Sequence, residues 1–270
     1  MCRLNRIDER FAQLKRDGHK GFVAYIGAGD PNLEATRQLA VAFERTGVDV
    51  LELGVPFSDP LADGLTNQLA AQRGLESGTT PAKVLAAVSA IRRDCPRLPI
   101  VLYLYFNLAF RYGLAEFIRD AAQAGVDGFL ILDLPPEESE NYEALMKSAG
   151  LSVIYLVAPT TPDDRMESIV KRGSGFVYYV SREGVTGVQS KVSETIGAMT
   201  AKIRTHTALP IAVGFGISTP AQAGRVAADA DAVVVGSAIV NEIAKHGQQP
   251  DLVPRVSAFV QSLVMAVKPT

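Results

Sequence analysis

The segment IAVGFGISTPAQAGRVAADADAVVVGSAIVNEI, Ile211 to Ile243, holds the pattern on which the fold reading turns. Its apolar runs Ile211 to Gly216 and Ala232 to Gly236 are rich in β-branched residues and read as buried strands. Between them Pro220 to Ala228 has helical period, with Pro220 in a first-turn position that needs no amide donor. Each strand leaves through a glycine turn straight into a helix, the second beginning near Ala238. Such strand–helix units build parallel sheets, because a parallel pair needs a crossover long enough to hold a helix.

Working outward, the same unit recurs along the chain. Six further strands are predicted at Gly21 to Gly29, Asp49 to Val55, Ile100 to Tyr105, Gly128 to Asp133, Ser152 to Ala158 and Gly175 to Arg182. Helical patterns separate them, among them Leu33 to Thr46, Pro81 to Arg93, Leu114 to Ala124 and Ser193 to Thr205. Gly47, Gly125 and Gly150 stand where helices stop, and Pro31, Pro81 and Pro162 read as further first-turn prolines. Gly-Val-Asp recurs before strands two and four, and Leu-Pro-Ile before strands three and seven, an echo of repeated units. The apolar run Pro99 to Phe110 reads as a buried strand and its exit loop, too short to cross a bilayer.

Eight units either close into a barrel or open into a doubly wound sheet, and the position of the polar residues decides. Glu52, Tyr105, Asp133, Arg182, Gly216 and Ser237 all fall at or near strand C-terminal ends, and the first strand lacks a GxGxxG turn. The expectation is an α/β protein with a single (β/α)8 TIM-barrel domain over residues 1–270. The charged, amphipathic segment MCRLNRIDERFAQLKRDG forms an N-terminal capping helix, and an extra short helix follows strand eight.

A chain of 270 residues, 47% hydrophobic, matches the size of one complete barrel. With 27 basic against 29 acidic residues, it lacks the electrostatic footprint of a nucleic-acid or membrane-surface protein. Cys2 and Cys95 have neither metal-site spacing nor the density of a disulfide scaffold, and the N-terminus lacks the apolar core of an export signal. The expected compartment is the cytoplasm.

Two features at the predicted mouth carry chemistry. The turns after strands seven and eight let Gly216, Gly236 and Ser237 aim backbone N–H groups at one point, and the following helix adds its positive dipole end, an arrangement suited to phosphate. The loop SREGVTGVQS after strand six adds Gly184, Gly187 and the Thr186 hydroxyl, and reads as a lid. In strand two, DVLELGV, alternation puts Val50, Glu52 and Gly54 on one face and Leu51, Leu53 and Val55 on the other. With the leucines packed on the outer helices, Glu52 projects into the barrel, where an unpaired carboxylate holds its proton to higher pH. Asp59 and Asp63 follow in the loop PFSDPLADG, and Asp133 ends strand four; each is either a turn or capping residue or a substrate contact. His19, His206 and His246 fall in helices or links, which leaves no histidine cluster for a catalytic metal, and no predicted strand holds a Schiff-base lysine. Acid–base chemistry by carboxylates and tyrosines remains.

LELGVPFSDPLADG from Leu51, SREGVTG from Ser181, VGFGIS from Val213 and VGSAIV from Val235 together resemble the tryptophan synthase alpha subunit family, in the same order, over about Phe11 to Phe259. The resemblance implies a lyase that cleaves indole-3-glycerol phosphate to indole and glyceraldehyde 3-phosphate without metal or organic cofactor. It implies Glu52 as the catalytic proton carrier, Asp63 as the acceptor of the indole N–H, and Tyr178 as a further catalytic-site tyrosine. Tyr25, Tyr105, Thr186 and Phe215 would contact substrate, and Gly187, Gly216, Gly236 and Ser237 would hold its phosphate. Asp133 then becomes a loop anchor. It also implies a pyridoxal-phosphate-bearing beta subunit as partner in an alpha2-beta2 heterotetramer, with residues 56–60 and 105–108 facing it. The chain departs from the family pattern at Leu65, where Pro is usual, at Gly27, where Thr is common, and at Tyr25, where Phe is common. A free-standing indole-releasing lyase and a catalytically weak regulatory partner of the beta subunit are the alternatives.

Overall fold

The structure, a computed structural model, describes residues 5–180, 189–214 and 216–268. The chain opens with α1 (Arg6–Asp17), β1 (Gly21–Gly27), α2 (Leu33–Thr46) and β2 (Val50–Gly54), then α3 (Leu65–Glu76), α4 (Pro81–Asp94) and β3 (Ile100–Leu104). Next come α5 (Phe106–Tyr112), α6 (Leu114–Ala124), β4 (Gly128–Ile131), a 3-10 turn at Pro136–Glu138, α7 (Glu140–Ser148), β5 (Ser152–Val157), α8 (Asp163–Arg172) and β6 (Val177–Val180). It ends with α9 (Gln189–Arg204), β7 (Ile211–Gly214), α10 (Pro220–Asp229), β8 (Ala232–Val235), α11 (Ser237–His246) and α12 (Leu252–Val267). Every strand pairs in parallel with its neighbours, and β8 returns to pair with β1, closing the expected barrel.

Strand alternation divides the core in two. Inward-facing Val23, Val50, Val101, Leu130 and Ile154 fill the barrel, while Phe22, Leu51, Leu53 and Leu102 pack outward against the helices. At the N-terminal end α1 closes the barrel as the sequence implies. Its Ile7, Phe11 and Leu14 are buried in the inner cluster, and Phe11 meets Phe176 at 5.6 Å between ring centroids. α11 is the additional short helix after β8, and α12 supplies the eighth outer helix. No described helix is long and apolar enough to cross a membrane.

The two sequence echoes belong to one interaction. Asp49 and Asp127, the aspartates of the Gly-Val-Asp phrases, accept hydrogen bonds from the backbone N–H of Phe22 (2.7 Å) and Ile100 (2.8 Å) on the preceding strands. Asp231 does the same for Ile211 (2.9 Å), so both Leu-Pro-Ile isoleucines are donors, and Ser174 accepts from Val153 (2.8 Å). At the base of the barrel each even strand is thus stitched to the odd strand before it by one polar side chain.

Two readings need correction. The chain after β3 is no exit loop: α5 begins at Phe106, its N–H donating to Asp133 Oδ1 at 2.6 Å. Asp133 is therefore a cap for a helix 27 residues upstream, satisfying one of the orphan amides of its first turn. Pro31 lies outside α2, whose N-cap is Asn32 with its side chain accepting from the Ala35 N–H, and Pro162 is the N-cap of α8 rather than a first-turn residue.

Candidate active site

The alternation of β2 turns Glu52 into the barrel near its C-terminal end, where it is 1% exposed and lines a cavity of about 310 Å³. That volume is at the lower end of small-molecule sites. Among the described residues the lining includes Tyr25, Asn67, Tyr103 and Tyr178 but no Lys or Arg, and Glu52 Oε1 has no hydrogen-bond partner. Loss of hydration in this setting, with the negative charge of Asp63 second, pushes the Glu52 carboxyl up from 4.5 to about 8. A group poised there holds a proton at neutral pH and can also give it up.

Asp63 lies in the loop after β2. Its carboxylate accepts from the Tyr103 hydroxyl at Oδ1 (2.6 Å) and from the Tyr105 hydroxyl at Oδ2 (2.8 Å). Tyr105 also accepts from the Ala62 N–H at 2.9 Å, and Gln68 Nε2 donates to the Asp63 carbonyl at 2.9 Å. Tyr103 and Tyr105 stand two residues apart at the end of β3, so period-two geometry brings both hydroxyls to one side. Burial first, then the nearby carboxylate, pushes both phenols upward, so they serve as hydrogen-bond donors.

Tyr25 and Tyr178 complete the wall around Glu52, each lying over a glycine of the next strand. A Cβ on Gly54 would overlap the Tyr25 hydroxyl, and one on Gly214 would come within 2.8 Å of the Tyr178 hydroxyl. Burial raises both phenols well above their usual range, with Glu52 adding to the effect.

Gly216, Gly236 and Ser237, the predicted anion cradle, line the same cavity. Gly216 has φ +60°, a left-handed conformation that favours glycine. Helix α10 satisfies its own N-terminus through a Thr219–Gln222 capping box, whereas α11 starts at Ser237 without a side-chain cap. The first turn of α11 lines the cavity with its amides unclaimed by a side-chain cap and the positive end of the helix dipole behind them.

The structure thus brings Glu52, Tyr25, Tyr178, Gly216, Gly236 and Ser237 around one cavity, with Asp63 and Tyr105 joined to it through Tyr103. Thr186, Gly187 and Phe215 lie outside the described residues. Sequence reading missed Tyr103, although Val101, Tyr103 and Tyr105 share one face of β3, and it missed Asn67. Among the described residues no cluster of three or more His, Cys, Asp and Glu is placed to hold a metal ion.

A closed parallel barrel with a buried glutamate and two glycine turns around one cavity at its C-terminal mouth has the build of a (β/α)8-barrel enzyme. Residues 11–268 match the tryptophan synthase alpha chain family. The alpha chain of Opitutus terrae is 50% identical over 266 residues, covering 98% of this chain and all of that one. That of Geotalea uraniireducens is 47% identical, covering 98% of each. Among solved structures, subunit alpha from Legionella pneumophila superposes with a TM-score of 0.91 at 37% identity, covering 98% of this chain and 99% of its own. The chain belongs to the tryptophan synthase alpha chain family, and is a lyase of tryptophan biosynthesis.

Proposed function

We propose that the chain cleaves indole-3-glycerol phosphate to indole and glyceraldehyde 3-phosphate, a retro-aldol reaction that uses neither metal nor organic cofactor. The observation that supports it best is the pairing of a buried, unpartnered Glu52 with an anion cradle in one cavity. In this reading the phosphate rests on Gly216, Gly236, Ser237 and the α11 amides, with Gly187 and Thr186 contributing from the loop after β6. The indole ring lies against Tyr25, Tyr105 and Phe215, its N–H donating to Asp63. The protonated Glu52 gives its proton to indole C3, and Asp63 balances the positive charge that develops on the ring. As the bond from C3 to the glycerol carbon breaks, the Glu52 carboxylate takes the proton of the adjacent hydroxyl, which becomes the aldehyde. Proton count and electron count close, and Glu52 ends protonated as it began. Tyr178, over Gly214 and beside Glu52, excludes water from the transfer.

The same reading gives the chain a pyridoxal-phosphate-bearing beta subunit as partner, in an alpha2-beta2 assembly that works in the cytoplasm. Leu61 (83% exposed) and Phe110 (65%) flank the segments 56–60 and 105–108 and supply an apolar surface for that contact. Incubating the purified chain with indole-3-glycerol phosphate, with and without a beta subunit, tests reaction and partnership together. Indole release that rises on mixing, and is lost in Glu52→Gln, is the expected result. Equal turnover with and without the partner argues against the assembly, and no indole in either case argues against the reaction.

A further inference from the structure

Asp63 sits on an irregular loop, yet a carboxylate that reads one ring N–H must be held to within about half an ångström. Two tyrosines hold it, and they are not equivalent. Tyr105 also accepts from the Ala62 N–H and its ring meets Phe57 at 5.2 Å, so it ties the loop to β3. Tyr103 instead faces inward and lines both the cavity of Glu52 and the small recess beside Asp63. Its ring meets that of Tyr25 edge-on at 5.0 Å, and Tyr25 lines both spaces as well. The recess has room for about 10 Å³, roughly one water molecule, so an indole ring cannot enter it. Among the described residues, Tyr103 and Tyr25 stand between the Glu52 cavity and Asp63, and of these two Tyr103 is the one bonded to its carboxylate.

We propose that Tyr103 is a positioning residue for ring recognition: its hydroxyl, bonded to Asp63 Oδ1, aims that carboxylate at the ring N–H of a substrate in the Glu52 cavity. The proposal rests on the reading of indole-3-glycerol phosphate as substrate. A carboxylate oxygen has two lone pairs; Tyr103 occupies one of those on Oδ1, and the other meets only the long contact from Asn67 Nδ2 at 3.5 Å, which a ligand donor can displace. At 2.6 Å the bond falls in the short range of charge-assisted O–H···O⁻ pairs, so it orients the group strongly. Tyr105 fixes the second oxygen at 2.8 Å, and among the described residues the one other side-chain donor to the carboxylate, Asn67 Nδ2, is at 3.5 Å. Without Tyr103 the carboxylate is free to turn about its remaining bond to Tyr105.

The test is a double-mutant cycle on binding. Wild type, Tyr103→Phe, Asp63→Asn and the double variant are titrated with indole-3-propyl phosphate, which keeps ring and phosphate but lacks both hydroxyls. Glycerol 3-phosphate, which has no ring, is titrated in parallel, and kcat and KM for indole-3-glycerol phosphate are measured. Losing one hydrogen bond to a charged group costs about 10- to 100-fold. Tyr103→Phe should weaken the propyl phosphate by about that factor, leave glycerol 3-phosphate within about twofold, and lose its effect in the Asp63→Asn background. An equal penalty in both backgrounds, an equal penalty on glycerol 3-phosphate, or no penalty overturns the proposal. A wild type that neither binds the propyl phosphate nor cleaves indole-3-glycerol phosphate overturns the substrate reading, and this proposal with it.

Discussion

The stability of Glu52→Gln relative to the wild type should rise with pH. Folded, the carboxyl holds its proton up to about pH 8; unfolded, it releases it near 4.5. Between these values the native state binds a proton that the unfolded chain does not, so stability falls as pH rises through the window. Below pH 4.5 the penalty is absent, and above pH 8 it is fully present. At 1.36 kcal/mol per unit, it amounts to about 1 kcal/mol at pH 5, about 3 kcal/mol at pH 7 and about 5 kcal/mol once both states are ionised. Glutamine never ionises and escapes this penalty, although its buried NH2 brings a roughly constant cost of about 1–3 kcal/mol if unpartnered. The pH dependence is therefore the diagnostic quantity. Urea unfolding of both proteins from pH 5 to pH 9, fitted with intermediates where they appear, measures it. A stability difference that stays constant over this range would refute the claim that Glu52 is buried and proton-loaded.

The same titration sets the alkaline limb of activity: indole release should decline above about pH 8 as Glu52 loses its proton, and a rate flat to pH 10 contradicts its role as donor. Gly54→Ala puts a methyl group into the Tyr25 ring and should cost about 1–3 kcal/mol in urea unfolding along with most turnover, whereas an unchanged midpoint would show that Tyr25 is not seated there. Arg73→Ala removes both hydrogen bonds (2.7 Å each) from Asp30, which is 1% exposed, and should cost about 3 kcal/mol; adding Asp30→Asn should recover most of it.

The barrel was legible because alternation and glycine punctuation are local signals, and each predicted strand begins within two residues of the observed one. Predicted strands overran at their C-terminal ends, as at Gly21 to Gly29 against Gly21–Gly27, because pairing stops before the composition changes. Helix α5 was read as a loop for a different reason: Phe106 to Tyr112 is continuous in apolar character with β3, and its cap, Asp133, comes from a later unit. Within the site, Glu52 was legible as a lone charge on the inward face of an apolar strand. Tyr103 was not, since an aromatic in a strand reads as core and its partner lies 40 residues away in an irregular loop.

Glu52 differs from the other deeply buried carboxylates of the described residues in one physical respect. Asp49 is bonded by Arg10, Lys268 and the Phe22 N–H; Asp127 by Arg6, Arg92 and the Ile100 N–H; Asp30 by Arg73 through both oxygens. Each of these is paired and fixed, Asp49 and Asp127 at the base of the barrel and Asp30 in the loop after β1. Glu52 comes only three residues after Asp49, yet among the described residues it meets tyrosine rings instead of a cation, and its Oε1 is unpaired. The uncompensated burial that weakens the fold at neutral pH is also what leaves a transferable proton at the mouth. A cation introduced beside Glu52 would remove both effects at once, stabilising the chain while holding the carboxylate ionised and unable to donate.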